Sequence, residues 1–209
     1  MRLQEPLDDI FAGRSHVRVL RALHRLPAGL AASAREIARR AGVSHPTASK
    51  VLTSLAEQGV VTRTRAPRAT AFELCRTHTA VERLIPMFDW EDRLRQELIA
   101  LLRTELLRRA PSSVSAAYLF GSAAAGDMTP TSDIDVAVLH AAGTMEIVTA
   151  AMEEIAETVE QRFGNRLSFI LTDAPITELE SPGPGSRLWK QILREGVPIL
   201  EPRLERAVG

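Results

Sequence analysis

Residues 119–139 read LFGSAAAGDMTPTSDIDVAVL, and they place two aspartates one residue apart in an otherwise apolar run. The apolar residues on either side have the character of buried strands. Alternate residues of a strand point to opposite faces, so Asp133 and Asp135 share one face about 7 Å apart along the chain. Ile134 and Val136 point to the opposite face. Two carboxylates on one face repel each other, so the pair predicts a site where cations lie beside them.

The order of these features resembles the nucleotidyltransferase fold of the DNA polymerase beta superfamily. Gly121 and Ser122 follow a strand, ten residues intervene, and the sequence DID begins the next strand. The pattern is most similar to the minimal nucleotidyltransferases and the antibiotic nucleotidyltransferases, and the resemblance covers about residues 88–201. It implies a mixed sheet with flanking helices.

The resemblance also implies a role for each of these residues. The Gly121–Ser122 turn would offer main-chain amides and a hydroxyl to a nucleoside triphosphate, and the absent side chain of Gly121 would permit close approach. Asp133 and Asp135 would be the catalytic residues and the ligands of Mg²⁺ or Mn²⁺. The implied reaction transfers a nucleoside monophosphate to a hydroxyl and releases pyrophosphate.

Two positions depart from the family pattern. The pattern has a third carboxylate on a later strand, and the corresponding position in RLSFILTD is Ser168, whose hydroxyl is a poorer metal ligand. The family also commonly carries GSxARG, and this chain has Ala125 in place of the arginine. Both changes remove groups that would act on phosphate or on the acceptor. The pattern therefore predicts the fold but leaves an active and an inactive alternative open.

The N-terminal part of the chain is basic and the remainder is acidic. Residues 1–80 carry 13 Arg and Lys side chains against 6 Asp and Glu, whereas residues 81–209 carry 13 against 20. Such asymmetry indicates two units with different partners. The basic unit suits a polyanion, and the acidic unit does not suit bare DNA.

Three helices and a hairpin are predicted in the basic part. SHVRVLRALHRLP has apolar residues at helical spacing, SAREIARRAG begins with Ser33 as its cap, and VSHPTASKVLTSLAEQG begins with Ser44 as its cap. VVTRTRAPRATAFEL then predicts two short strands. Two helices joined by a short turn form a helix-turn-helix, and the added basic hairpin makes the order resemble the winged helix-turn-helix of MarR-like bacterial regulators.

This second resemblance covers about residues 1–76 and implies double-stranded DNA as a partner. The helix that follows Ser44 would lie in a major groove, with Ala48 among the residues near the bases, and the hairpin arginines would contact phosphates or a minor groove. The alternative is that these arginines form a solvated surface. The predicted DNA-binding residues are Ser44, His45, Thr47, Lys50, Arg63, Arg65 and Arg68.

The leucines of DWEDRLRQELIALLRTELLRRAP recur at helical spacing and predict a long helix from about Asp89 to Ala110, ended by Pro111. The predicted fold class is α+β with three parts. A winged helix-turn-helix occupies residues 1–80, a connecting helix occupies 81–110, and a nucleotidyltransferase-like mixed sheet with flanking helices occupies 111–209.

Three functional hypotheses follow. The first is a DNA-binding transcription regulator whose second domain binds nucleoside triphosphate and Mg²⁺, the second is an active nucleotidyltransferase, and the third is an antitoxin-like partner of a small helical toxin. No apolar run is long enough to span a membrane and the first residues lack an apolar signal core, so we expect a cytoplasmic protein. A homodimer is expected, because two copies of such a module read a two-fold DNA site.

Overall fold

The computed structural model describes residues 13–65, 70–181 and 186–202. The chain divides into two compact units, of which the N-terminal unit extends to Arg93 and the C-terminal unit begins at Leu94. This division lies inside the connecting segment predicted for residues 81–110. Among the described residues, no helix combines the length and the apolar character needed to cross a membrane.

The N-terminal unit begins with helices and ends with a hairpin. Its elements up to Leu74 are α1 (Arg14–His24), β1 (Ala32–Ser33), α2 (Ala34–Ala41), α3 (His45–Glu57), β2 (Val61–Arg65) and β3 (Thr70–Leu74). β3 lies between β1 and β2 and is antiparallel to both. The arrangement confirms the predicted winged helix-turn-helix. The predicted hairpin tip at residues 66–69 lies outside the described residues.

Serine caps begin the second and third helices, as the sequence predicts. The Ser33 hydroxyl accepts a hydrogen bond from the Glu36 amide at 3.2 Å, and the Ser44 hydroxyl accepts one from the Thr47 amide at 3.2 Å. Pro46 occupies the first turn of α3, where a missing amide costs no helical hydrogen bond. Both helices therefore begin where local sequence dictates.

A single long helix, α4 (Thr79–Arg109), follows the hairpin. The prediction that this helix begins near Asp89 is wrong, because the helix starts ten residues earlier and includes Pro86. A proline inside a helix removes one hydrogen bond. Val81 and Phe88 are buried in the core of the N-terminal unit, and this packing holds the first turns helical in spite of the proline.

Ion pairs hold the first half of α4 against α1. The Arg21 guanidinium donates from Nε to Glu91 Oε2 at 2.7 Å and from Nη2 to Glu91 Oε1 at 2.9 Å, and both side chains are buried. At the exposed edge, Arg25 Nη2 lies 2.6 Å from Asp92 Oδ1. The Arg21–Glu91 pair thus satisfies two charges inside the N-terminal unit.

The C-terminal unit is built on a mixed sheet with the strand order β6-β5-β4-β7. β5 runs antiparallel to β4 and parallel to β6, and β4 is also antiparallel to β7. The mixed sheet and its helices confirm the predicted α+β fold. The elements after α4 are β4 (Val114–Phe120), α5 (Gly121–Ala125), β5 (Ile134–His140), α6 (Met145–Phe163), β6 (Leu167–Thr172), α7 (Ile176–Leu179), α8 (Ser186–Glu195) and β7 (Val197–Leu200).

The sheet topology brings three strand ends together. β4 is antiparallel to β5, so the end of β4 lies beside the start of β5. α6 connects β5 to the parallel strand β6, so the start of β6 also lies beside the start of β5. This edge of the sheet carries the aspartates that the sequence singles out.

Candidate metal site and nucleic-acid interface

The two aspartates lie at the beginning of β5. Asp133 is exposed and immediately precedes the strand, and Asp135 is its second residue and is half-buried. Asp135 is in register with Phe120 on one neighbouring strand and with Ser168 on the other. The sheet therefore places Asp135 between the Gly121–Ser122 turn and the position where the family pattern has its third acid.

Gly121 makes room for the Asp135 carboxylate. The backbone of Gly121 has φ +65°, in the left-handed region, and a Cβ added there would lie 2.4 Å from Asp135 Oδ2. A Cβ at that distance would displace the Asp135 carboxylate, and L residues are strained at that φ. Both conditions favour glycine where the carboxylate meets the turn.

The environment of Asp135 opposes ionisation. Burial raises the pKa of its carboxyl above the ordinary value, and the negative charge of Asp133 raises the pKa further. A divalent cation beside the pair would reverse the repulsion, because it favours the ionised form of both carboxylates.

The turn that the sequence predicts at Gly121 and Ser122 forms the start of a short helix, α5. Its C-terminal end is closed by hydrogen bonds from the Gly126 and Asp127 amides to the Ser122 carbonyl, at 3.0 and 3.2 Å. Arg95 of α4 donates to the Ala124 carbonyl at 3.3 Å. This arginine approaches the turn near Ala125, the position where the family pattern has its own arginine.

Ser168 lies where the missing carboxylate is expected. It is exposed on β6 and is the parallel partner of Asp135, so the two side chains share one face of the sheet. Within the described residues, no group of three or more His, Cys, Asp or Glu side chains is arranged to hold a metal ion. The two aspartates therefore stand without a third acidic ligand in the part of the chain described.

A cavity of about 550 Å³ opens beside the turn. Phe120, Ser122 and Ala125 form part of one wall, and Leu188 and Ile192 of α8 form part of another. A mostly apolar cavity of this size next to polar groups is typical of small-molecule sites.

A groove between α3 and the hairpin marks the other candidate site. The groove has a volume of about 550 Å³ and is lined by hydroxyl groups, an imidazole and two guanidinium groups. Such donors suit phosphate oxygens and base edges. The lining side chains with polar groups are Ser33, Arg35, His45, Ser49, Thr53, Arg63 and Thr70.

The seven predicted DNA-binding residues fall into three groups, and Ala48, also expected near the bases, is considered with them. His45, Lys50, Arg63 and Arg65 are exposed, and His45 and Arg63 line the groove. The hydroxyls of Ser44 and Thr47 bond to each other at 2.7 Å at the start of α3. The expectation for Ala48 is wrong, because its side chain is fully buried in the core beneath α3. Arg68 lies outside the described residues.

Arg35 is a groove residue that sequence reasoning missed. It lies in the first turn of α2, is exposed, and lines the groove with Arg63 of β2. The signal available in the sequence was a basic residue at the start of the helix before the predicted recognition helix. Its position opposite the hairpin arginine follows only from the folded unit.

Comparison with known families agrees with both sites. Residues 13–69 match the family model described as the MarR family, and residues 104–203 match the one described as polymerase beta, nucleotidyltransferase. The chain joins a MarR-type DNA-binding domain to a nucleotidyltransferase-fold domain. The predicted fusion is thereby confirmed. No curated protein matches the chain.

The two matched segments contain most of the residues at the two candidate sites. The MarR-type segment includes the groove residues from Ser33 to Arg63, and the nucleotidyltransferase segment includes Gly121, Asp133 and Asp135.

Proposed function

We propose that the protein is a DNA-binding transcription regulator whose nucleotidyltransferase-fold domain binds a nucleoside triphosphate with Mg²⁺ or Mn²⁺. The observation that carries the proposal is the placement of Asp135 against Gly121, with Ser168 in the position of the third acid. The site keeps the parts that bind metal and phosphate, and it lacks a group associated with transfer.

The residues present suit a metal-bound triphosphate. Mg²⁺ is commonly held by one or two carboxylates, with phosphate and water oxygens completing its octahedral shell. Asp133 and Asp135 would supply the carboxylates, and the Ser122 hydroxyl would bind a phosphate oxygen. The bound cation would neutralise charge on the phosphates. The cavity beside Ser122 has room for the remainder of the nucleotide or for a second ligand.

The DNA-binding part of the proposal is supported by the groove of the N-terminal unit. Arg35 and Arg63 place positive charge on two elements that line it, and α3 presents His45 at its start. DNA phosphates passing along this groove would meet both arginines, while Lys50 and Arg65 would extend the basic surface. A homodimer would present two recognition helices to a two-fold operator.

Calorimetry tests the nucleotide site directly. We expect ATP or another nucleoside triphosphate to bind the full chain only when Mg²⁺ or Mn²⁺ is present. The double variant Asp133→Asn, Asp135→Asn should lose this binding, whereas Asp173→Asn, on an exposed residue beyond β6, should retain it. Absence of binding by the natural chain would reject the nucleotide part of the proposal.

The DNA part is tested by measuring affinity as a function of salt concentration. Removing one phosphate contact should reduce the slope of log affinity against log salt by about 1. We expect this reduction for Arg63→Ala and for Lys50→Ala on double-stranded DNA, and no reduction for the exposed Lys190→Ala of α8. Unchanged affinity and slope in the first two variants would reject these contacts.

An active nucleotidyltransferase is the second candidate, and the close approach of Asp135 to Gly121 favours it. Because Ser168 lies on the same face as Asp135, Ser168→Asp would restore a third carboxylate. Metal-dependent release of pyrophosphate by the natural chain would establish the active alternative. Release by Ser168→Asp alone would assign the loss of activity to this position. The antitoxin-like alternative rests on the family resemblance and stays a prediction.

A further inference from the structure

Asn165 lies in the short connection between α6 and β6, outside the turn and the aspartate pair. The residue is buried, with 3% of its surface exposed. Asn165 Nδ2 donates a hydrogen bond to the Ser132 carbonyl at 2.9 Å. A carbonyl only accepts hydrogen bonds, so this contact fixes which end of the amide faces Ser132.

The next residue makes a second contact with the same segment. The Arg166 carbonyl accepts a hydrogen bond from the Ile134 amide at 2.9 Å. Ser132 and Ile134 are the two neighbours of Asp133. The connection from α6 to β6 therefore holds the main chain on both sides of this aspartate. Of the two hydrogen bonds, the one to Ser132 comes from the Asn165 side chain.

The position of Asp133 depends on the contacts of its neighbouring residues. It is exposed, precedes the strand and repels Asp135. The segment before it is tied by the Thr129 amide, which donates to the Ser132 hydroxyl at 2.9 Å. The Ser132 amide also donates to the Thr129 carbonyl, at 3.1 Å. These two bonds hold the hydroxyl and the amide of Ser132, whereas Asn165 holds the carbonyl that leads directly into Asp133.

We infer that Asn165 is a positioning residue that holds Asp133 in place for metal-bound nucleotide. The inference rests on the proposed nucleotide site for its functional consequence. A residue that orients a metal ligand commonly changes metal affinity by roughly tenfold to a hundredfold when it is replaced. Asn165 never needs to touch the metal or the nucleotide to have this effect.

The first test needs no ligand. Asn165→Leu keeps a side chain of similar size and removes the donor. Hydrogen exchange of the Ile134 amide in the full chain then measures how firmly the segment around Asp133 is held. Exchange should accelerate about tenfold, the change expected when one hydrogen bond is removed. The Val138 amide in the middle of β5 should be unchanged. Unchanged exchange at Ile134 would overturn the inference.

The second test is calorimetric titration of MgATP. At a temperature where both proteins are fully folded, Asn165→Leu should weaken binding by roughly ten- to a hundredfold. The control Arg162→Gln, at an exposed position near the end of α6, should match the natural chain. Equal affinity of Asn165→Leu and the natural chain would also overturn the inference.

The two tests separate this inference from the proposed function. If the natural chain binds no MgATP, the nucleotide proposal fails, and exchange at Ile134 still decides whether Asn165 holds the segment. If Asn165→Leu does not fold, Asn165→Ala supplies the exchange measurement, because its side chain also lacks a donor for the Ser132 carbonyl.

Discussion

Two pairs of charged side chains in this protein differ in the signs of their charges and in their burial. In the N-terminal unit, Arg21 and Glu91 are opposite charges, both buried and joined by two hydrogen bonds. In the C-terminal unit, Asp133 and Asp135 are like charges at a partly open sheet edge, and burial and repulsion raise the pKa of Asp135. The first pair joins opposite charges, whereas we propose that a cation completes the second.

The comparison indicates that the Arg21–Glu91 pair stabilises the fold, whereas the Asp133–Asp135 pair has the character of a binding site. A buried pair of opposite charges contributes to the scaffold, and removing one member takes away the opposite charge with which the other is buried. A like-charged pair raises the free energy of the folded protein, and such sites are typical of binding and catalysis. Substitution should therefore have opposite effects on stability at the two places.

The largest effect is expected at the compensated pair. Glu91→Ala should lower the free energy of unfolding of the N-terminal unit by about 3–5 kcal/mol, because it leaves Arg21 charged in the core. Urea denaturation and hydrogen exchange of core amides such as Leu52 would measure this. The control is Arg25→Ala at the exposed Arg25–Asp92 pair, where the decrease should be at most about 1 kcal/mol. Equal decreases in both variants would contradict the distinction.

The next effect concerns the contact between Gly121 and Asp135. Gly121→Ala should cost about 1–2 kcal/mol from backbone strain alone, displace the carboxylate and abolish metal-dependent nucleotide binding. Gly143→Ala is a matched control, because Gly143 also has a positive φ, of +76°, with open space around the added Cβ. Gly143→Ala should lose a similar amount of stability through backbone strain and should still bind nucleotide in the presence of metal. If both variants lost nucleotide binding, the contact between Gly121 and Asp135 would have no special role.

A smaller effect extends the comparison to exposed charge. Arg35→Ala should lower DNA affinity severalfold at physiological salt and reduce the salt slope by about 1, because it removes one phosphate contact from the groove. Stability should be nearly unchanged. Electrophoretic or anisotropy titrations at several salt concentrations would measure the slope, with exposed Arg166→Ala of the C-terminal unit as the control. An unaltered salt slope would show that Arg35 makes no phosphate contact in the interface.

The smallest effect should be a gain in stability. The pKa of Asp135 is raised in the folded protein, so its contribution to stability is present below the ordinary carboxyl pKa and is lost as pH rises through the raised value. In EDTA, Asp135→Asn should therefore melt at a higher temperature than the natural chain near pH 7, with the difference disappearing in acid. A lower melting temperature at pH 7 would show that an interaction of the ionised carboxylate outweighs the repulsion.

Sequence patterns were sufficient where local chemistry decides the structure. Ser33 and Ser44 begin their helices, and the run VVTRTRAPRATAFEL predicted the hairpin strands, because caps and short strands depend on neighbouring residues. Local reasoning was wrong about the start of α4, because Pro86 is a strong breaker signal. It was also wrong about Ala48, because spacing from the cap does not tell which face of α3 is buried.

The sequence by itself determined the two domain types and the residues available to each candidate site. The spacing of Gly121, Ser122, Asp133 and Asp135 is a local property of strand, turn and strand, and so is the series of helices before the basic hairpin. Tertiary structure alone decided which distant residues meet. Strand pairing put Ser168 beside Asp135, and helix packing put Arg21 against Glu91. The connection before β6 brought Asn165 to Ser132, because contacts between residues far apart in the chain depend on how the elements pack.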